Sequence, residues 1–88
     1  MNIKYKDSFN KAFRKLPYDT QEIVLETILF FRENPHHTSL RNHALEAPML
    51  GKRSISAWAD IRIIFIEKWD YIEVLMLDIG DHLGVYFG

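Results

Sequence analysis

The spacing of apolar positions changes along the chain, from strand-like alternation to helical spacing and back. Ile3 and Tyr5 alternate with polar neighbours, which predicts a short first strand. Apolar positions then recur at helical spacing, which predicts a first helix; they are Phe9, Ala12, Phe13 and Leu16. Asp7 or Ser8 is suited to cap this helix, and Pro17 ends it or starts the turn after it.

A second helix is predicted directly after this turn. It begins at Asp19 or Thr20, because Asp19 and Glu22 have the spacing of a capping box. Its apolar residues form a wide face, which predicts heavy burial; they are Ile23, Val24, Thr27, Ile28, Phe30 and Phe31. Asn34-Pro35 is a stop signal. Two helices joined by a short turn predict an αα-hairpin.

The second half of the chain has the pattern of a small sheet. Residues 36–51 mix polar and apolar positions, which predicts a connecting loop. Three β-prone segments follow, at 54–58, 61–66 and 71–79. Residues 68–70 are short enough for a hairpin turn, and Gly80-Asp81 breaks the last strand. The order predicts an α+β fold: a short N-terminal strand, an αα-hairpin and a three-stranded antiparallel meander, with the helices on one face of a single sheet.

Length and composition restrict the protein to one small domain, 1–88, with one modest core. Hydrophobic residues make up 48% and charged residues 26%, which excludes a disordered chain. Cysteine is absent, so disulfides and thiolate metal sites are excluded. No apolar run approaches a signal peptide or the roughly 18 residues of a membrane span. We therefore expect a cytoplasmic protein that does not engage a membrane.

The net charge of −1 argues against a dedicated nucleic-acid binder, because phosphates are neutralised by clustered positive side chains. The charge is uneven, however. Basic residues predominate in segments 4–15 and 41–62, and acidic residues in 18–33 and 67–88. This asymmetry is compatible with a basic face and equally with an evenly mixed surface.

Arg62 is the basic residue whose position the strand pattern defines best. In the predicted strand it lies on the face opposite Ile61, Ile63 and Phe65. If the helices cover the other face, the guanidinium is available to bind a phosphate or carboxylate. The alternative is that Arg62 pairs with a carboxylate of the sheet, from Asp60, Glu73 or Asp78.

Five strings, taken in order, resemble the RelE/ParE toxin superfamily, especially its YafQ-like and RelE/StbE-like members. They are FNKAFRKLP at 9–17, RENP at 32–35, LRNHAL at 40–45, DIRIIF at 60–65 and LDIGDH at 77–82, with Tyr86 beyond the last. The resemblance spans almost the whole chain. It implies the toxin of a toxin–antitoxin pair and a metal-independent endoribonuclease that cuts mRNA, often on the ribosome. Implied partners are a cognate antitoxin, mRNA and the ribosome, in a homodimer or a toxin–antitoxin hetero-oligomer, with no cofactor.

Cleavage by 2′-OH attack needs a proton acceptor, a proton donor and cations that stabilise the phosphorane. Arg62 suits the cationic role, because its planar fork matches phosphate oxygens. The resemblance matches His82 to the family's closing histidine, and a free imidazole titrates near pH ~6.5, which suits proton transfer. Tyr86 is a candidate for base stacking or proton donation, and equally for core packing.

Further candidates for RNA binding are Arg41 and His43, from the third string, and Lys52 and Arg53, just before the second predicted strand. Solvated surface charge is the alternative for Lys52 and Arg53, and a structural polar role is the alternative for His43. Trp58 is large enough to stack on a base, although such a residue more often packs in a core. His36, His37 and His43 lack an ordered spacing to a carboxylate, so no metal site is predicted.

Two departures from the family pattern leave room for a different function. The net charge is −1, whereas the family is commonly basic. Asp81 also stands where the family often has threonine, and its charge should raise the pKa of an adjacent histidine and repel phosphate. A non-catalytic protein-binding module or a gyrase inhibitor is therefore the alternative function.

Overall fold

The computed structural model describes residues 1–58, 60–81 and 84–85. In these ranges two α-helices, one 3-10 helix and five strands follow one another. They are β1 (Asn2–Tyr5), α1 (Asp7–Arg14), α2 (Tyr18–Glu33), a short 3-10 helix (Thr38–Leu40), β2 (His43–Ala44), β3 (Arg53–Trp58), β4 (Ile61–Lys68) and β5 (Glu73–Asp81). No helix in these ranges is both long enough and apolar enough to cross a membrane.

The strands form one sheet in the order β1-β5-β4-β3-β2. β3, β4 and β5 are the predicted antiparallel meander, and β1 lies parallel to β5 at the edge. The α+β prediction is therefore confirmed. The connecting loop predicted over 36–51 has little regular structure: it contains the 3-10 helix and the two-residue strand β2, which pairs with β3.

Both predicted helix caps are wrong. Lys6 and Pro17 occupy the two N-cap positions, and neither helix has a side-chain cap hydrogen bond. The Ser8 hydroxyl instead donates to the Leu77 carbonyl at 2.5 Å, across the interface between α1 and β5. The Asp19 carboxylate accepts from the adjacent Thr20 N–H. The Ser8 hydroxyl and the Asp19 carboxylate are thus engaged in hydrogen bonds other than the predicted caps.

The core lies between the helices and one face of the sheet. Its buried members from α2 are Val24, Ile28 and Phe31, whereas Leu25 and Leu29 of the same helix are exposed. The expected heavy burial of α2 is therefore limited to one stripe. The reason is that α2 has the sheet on one side and solvent on the other.

The β4–β5 turn is one residue longer than predicted and covers residues 69–72, because β4 extends to Lys68 and β5 begins at Glu73 rather than at 71. Trp69, Asp70 and Tyr71 have φ of 55°, 53° and 68°, in the left-handed region that non-glycine residues seldom adopt. Tyr71 is nevertheless buried, and its N–H donates to the Glu67 carboxylate at 3.0 Å. This contact and the burial of the ring stabilise the unusual turn.

The second face of the sheet carries Arg62, as the strand pattern predicts. Arg62 is directly opposite Ser56 on β3 and Gly80 on β5, and Ile64 is opposite Ser54 and Asp78. Paired residues share a face, so these side chains lie on the face opposite the core residues Ile55 and Ile63. A Cβ on Gly80 would stand 3.3 Å from Val85 Cγ1, which locates Val85 over this face beside Arg62.

Candidate functional site

A cleft of about 630 Å³ opens at the outer edge of β3. β2 pairs only with Arg53 and Ser54, and within the described ranges no other strand continues along that edge. α2 and the 3-10 helix approach the edge instead and form the walls. The side chains that matter chemically are Glu26, Thr27, Arg41, Ser56, Trp58 and Arg62.

Arg62 stands at this cleft on the central strand β4. It is half-buried, and its Nη1 donates to the Ile61 carbonyl at 3.1 Å. Gly80 is directly opposite Arg62, while Glu73 is opposite Lys68 at the far end of β4. The strand register therefore separates Arg62 from Glu73, one of the three carboxylates that were considered as its partner.

Arg41 reaches the same cleft from a different part of the chain. It is exposed and follows the 3-10 helix in a left-handed conformation, with φ of 51°. The backbone N–H of Arg41 donates to the Thr38 carbonyl at 3.2 Å, which closes the turn. Two arginines that are 21 positions apart in sequence, at 41 and 62, thus line one cavity.

Trp58, at the end of β3, is 63% exposed and lines the cleft. The expectation that a tryptophan in this strand more often packs in the core is wrong for this residue. β3 extends past the cover of the core at this point, so the indole faces the cavity. Its exposed aromatic surface can stack on a planar ligand.

Glu26 is a cleft residue that sequence reasoning missed. It lies on α2 and is exposed. An exposed glutamate on an amphipathic helix carries no signal in sequence, because the polar face of most helices contains several. Only the approach of α2 to the edge of β3 distinguishes it.

His43 lies beside the cleft rather than in it. Its Nδ1 is 2.7 Å from the Arg41 carbonyl, and it is opposite Ser54 in the β2–β3 pair. It lines a second cavity of about 420 Å³ formed with residues 44–49. The His43 ring therefore buttresses the backbone of Arg41.

Arg53 fastens the loop before it to the sheet. Its Nε donates to Asn42 Oδ1 at 2.9 Å. Asn42 Nδ2 donates in turn to the Pro35 carbonyl and to the Tyr71 hydroxyl, both at 2.9 Å. Lys52, next to Arg53, is half-buried in the turn that precedes β3. Among the described residues around the main cleft, neither Lys52 nor Arg53 is part of the lining.

His82 and Tyr86 lie outside the described residues. The segment that leads to them begins at Gly80, opposite Arg62, and at Asp81, opposite Ile61. The Asp81 carboxylate accepts a hydrogen bond from the Gly84 N–H at 2.6 Å. This carboxylate is therefore engaged by the backbone of Gly84.

The three other histidines have local contacts within the described part of the chain. His36 packs edge-on against Tyr71, and His37 against Phe30, with ring centroids 4.8 and 4.9 Å apart. No group of three or more His, Cys, Asp or Glu side chains is arranged there to hold a metal ion.

Comparison with solved structures finds this fold over nearly the full length of several toxins. A copper-bound mutant toxin from Helicobacter pylori matches with a TM-score of 0.78 and 26% identity, covering 98% of this chain and 99% of that chain. The RelBE2 toxin–antitoxin complex from Mycobacterium tuberculosis matches with a TM-score of 0.76 and 17% identity, covering 92% and 96%. YafQ from Escherichia coli matches with 0.70 and 19%, covering 97% of both chains. No protein-family model and no curated protein sequence matches the chain.

Proposed function

We propose that this chain, whose structure matches those of RelE/ParE-superfamily toxins, is the toxin of a toxin–antitoxin pair and cleaves mRNA without a metal ion. The observation that carries the proposal is the convergence of Arg41 and Arg62 on one open cleft beside an exposed tryptophan. Two guanidinium groups suit a phosphodiester, and an aromatic ring suits an unpaired base.

The proposed reaction is an internal transesterification. The 2′-oxygen of the RNA attacks the adjacent phosphorus, and the bond to the 5′-oxygen of the next nucleotide breaks. The products are a 2′,3′-cyclic phosphate and a 5′-hydroxyl, so the proton lost from the 2′-OH is balanced by the one gained by the leaving oxygen. The step needs no oxidant or cofactor.

Arg62 is assigned to the non-bridging phosphate oxygens, whose negative charge grows in the transition state. Its backbone is held in the centre of the sheet, and a preorganised donor of this kind contributes about 10²–10³ in rate. Arg41 supplies a second cation from the opposite wall. His82 is assigned to proton transfer and Tyr86 to stacking or proton donation, on the family resemblance. The direct pairing of Gly80 with Arg62 supports this, because the chain enters that segment beside the guanidinium.

The remaining basic residues are assigned to the flanking RNA. Lys52 and the terminal Nη groups of Arg53 are proposed to contact the RNA backbone, while Arg53 Nε holds Asn42. His43 is proposed to support Arg41 through its carbonyl. These contacts lie outside the cleft and are expected to affect affinity more than the chemical step.

We assign the protein to the cytoplasm with a cognate antitoxin as its partner. Support comes from the neighbouring structures that contain a toxin and its antitoxin together, one from Mycobacterium tuberculosis and one from Pyrococcus horikoshii. A hetero-oligomer with the antitoxin is the proposed resting state.

The test is cleavage of mRNA by the purified protein in the presence of translating ribosomes, with mapping of fragment ends. Arg62→Ala is expected to lower cleavage by about 10²–10³-fold. Lys68→Ala is the matched control, because Lys68 is exposed on the same strand and the same sheet face as Arg62. Upstream fragments should end in a 2′,3′-cyclic phosphate. Wild-type cleavage by Arg62→Ala or by His82→Ala would refute the mechanism.

A non-catalytic binding module or a gyrase inhibitor is the second candidate function. The net charge of −1 and the acidic Asp81 favour it. Growth arrest on expression separates the candidates. Arrest that persists in His82→Ala indicates a non-catalytic toxin, and harmless expression of the wild type indicates a binding module.

A further inference from the structure

We propose that the cleft at the edge of β3 selects guanine at the nucleotide next to the scissile phosphate, with Trp58 stacking on the base and Glu26 binding its hydrogen-bond edge. This inference rests on the proposed function and adds a specificity residue to it. Glu26 carries a carboxylate that the proposed chemistry does not use.

Glu26 is out of place in a phosphate site. Glu26 lines the same cleft as Arg41 and Arg62, and its negative charge cannot serve them in binding phosphate. Among the described residues it forms no ion pair and accepts no hydrogen bond, so it is not held in a structural contact. A carboxylate that is unpartnered and faces a ligand cleft is suited to accept hydrogen bonds from the ligand.

The donor pattern of the four bases favours guanine as that ligand. The two oxygens of a carboxylate accept two parallel N–H groups, and the Watson–Crick edge of guanine presents an adjacent pair, N1–H and the N2 amino group. Adenine and cytosine present one amino group beside an unprotonated ring nitrogen, which the carboxylate repels. Uracil presents a single N–H between two carbonyl oxygens. Bidentate pairing is thus available to guanine alone.

The walls of the cleft fit a base held in this way. Trp58 offers an exposed indole, and sequence-specific RNA recognition commonly stacks unpaired bases on such rings. The Thr27 hydroxyl bonds the Ala57 carbonyl at 3.2 Å, which ties the helical wall that carries Glu26 to the strand that carries Trp58. The volume of about 630 Å³ lies within the roughly 300–1,000 Å³ typical of small-ligand sites.

Direct binding tests the subsite without cleavage. The chain has two tryptophans, so Trp69→Phe leaves Trp58 as the only indole; Trp69 lies in the β4–β5 turn. Titration with guanosine 3′-monophosphate should quench Trp58 fluorescence saturably, and the adenosine, cytidine and uridine analogues should bind roughly tenfold or more weakly. Glu26→Gln keeps the size of the side chain but exchanges one acceptor oxygen for a donor. It should abolish the preference for guanine, whereas Glu22→Gln, one turn earlier on α2, should keep it.

Mapping of cleavage sites separates the subsite from the proposed nuclease. Wild type should show guanine enriched beside the cut, Glu26→Gln should lose this enrichment, measured as the fraction of cuts beside guanine, and Arg62→Ala should lose rate. Equal binding of all four nucleotides, or a guanine preference unchanged in Glu26→Gln, overturns the subsite even if Arg62→Ala is inactive. Absence of cleavage by the wild type overturns the nuclease instead, and guanine-selective quenching then decides the subsite separately.

Discussion

Asn42 is the residue whose loss should show most clearly how the cleft is held together. Its side chain joins three parts of the chain: it accepts from Arg53 Nε and donates to the Pro35 carbonyl and the Tyr71 hydroxyl, each at 2.9 Å. Asn42 is also the neighbour of Arg41 in sequence. Asn42→Ala therefore removes the fastening of the loop that positions one of the two cleft arginines.

The expected loss of stability follows from the number and type of these bonds. Each neutral hydrogen bond contributes a net 0.5–1.5 kcal/mol or so, and the bond from the charged Arg53 roughly 1.5–3 kcal/mol. The three together give about 2.5–6 kcal/mol, with the lower half favoured because Asn42 is only half-buried and water can replace some partners. In a domain of this size a loss of about 3 kcal/mol lowers the melting temperature by roughly 12–24 °C.

Urea and thermal unfolding measure the loss, and cleavage at a temperature where the variant is folded measures the effect on the site. We expect reduced cleavage by Asn42→Ala, because Arg41 is no longer held. Asn10→Ala is the control, since Asn10 lies on α1 and its side chain makes none of the side-chain bonds in this network. A change below about 0.5 kcal/mol in Asn42→Ala would refute the reasoning.

Three further predictions concern the sheet face, the pH dependence and the RNA contacts. Gly80→Val should lower stability by about 1–3 kcal/mol and reduce cleavage, because even a Cβ at this position stands 3.3 Å from Val85 Cγ1. Gly80→Ala should have a milder effect, and equal unfolding curves for the wild type and both variants would contradict the contact. Burial raises the pKa of Tyr5 above its usual 10.0, so the neutral phenol favours the folded state. The free energy of unfolding should therefore be retained below pH 10 and fall above it. Urea unfolding of the wild type and of Tyr5→Phe should show a shallower fall in the variant. Arg41→Ala should weaken binding of single-stranded RNA and reduce its salt dependence by roughly one phosphate contact, whereas Lys68→Ala should leave the slope unchanged in binding titrations at several salt concentrations.

Sequence alone was sufficient for the types of the longer elements and for the face on which Arg62 lies. Helical and strand periodicities depend on local backbone geometry, so they can be recognised in the sequence of α1, α2 and the strands β3, β4 and β5. The caps were predicted wrongly for the opposite reason. Ser8 bonds Leu77, which is distant in sequence, and no local pattern records such a partner.

Tertiary structure decided where the cleft lies and which side chains meet in it. β2 is only two residues long, too short for any periodicity, yet its end leaves the edge of β3 open. Arg41, Trp58 and Glu26 come from a turn, a strand end and a helix, and each is ordinary in its own segment. They share a cavity because long-range strand pairing and helix packing bring those segments together, and that information is carried by the whole fold rather than by any one stretch of sequence.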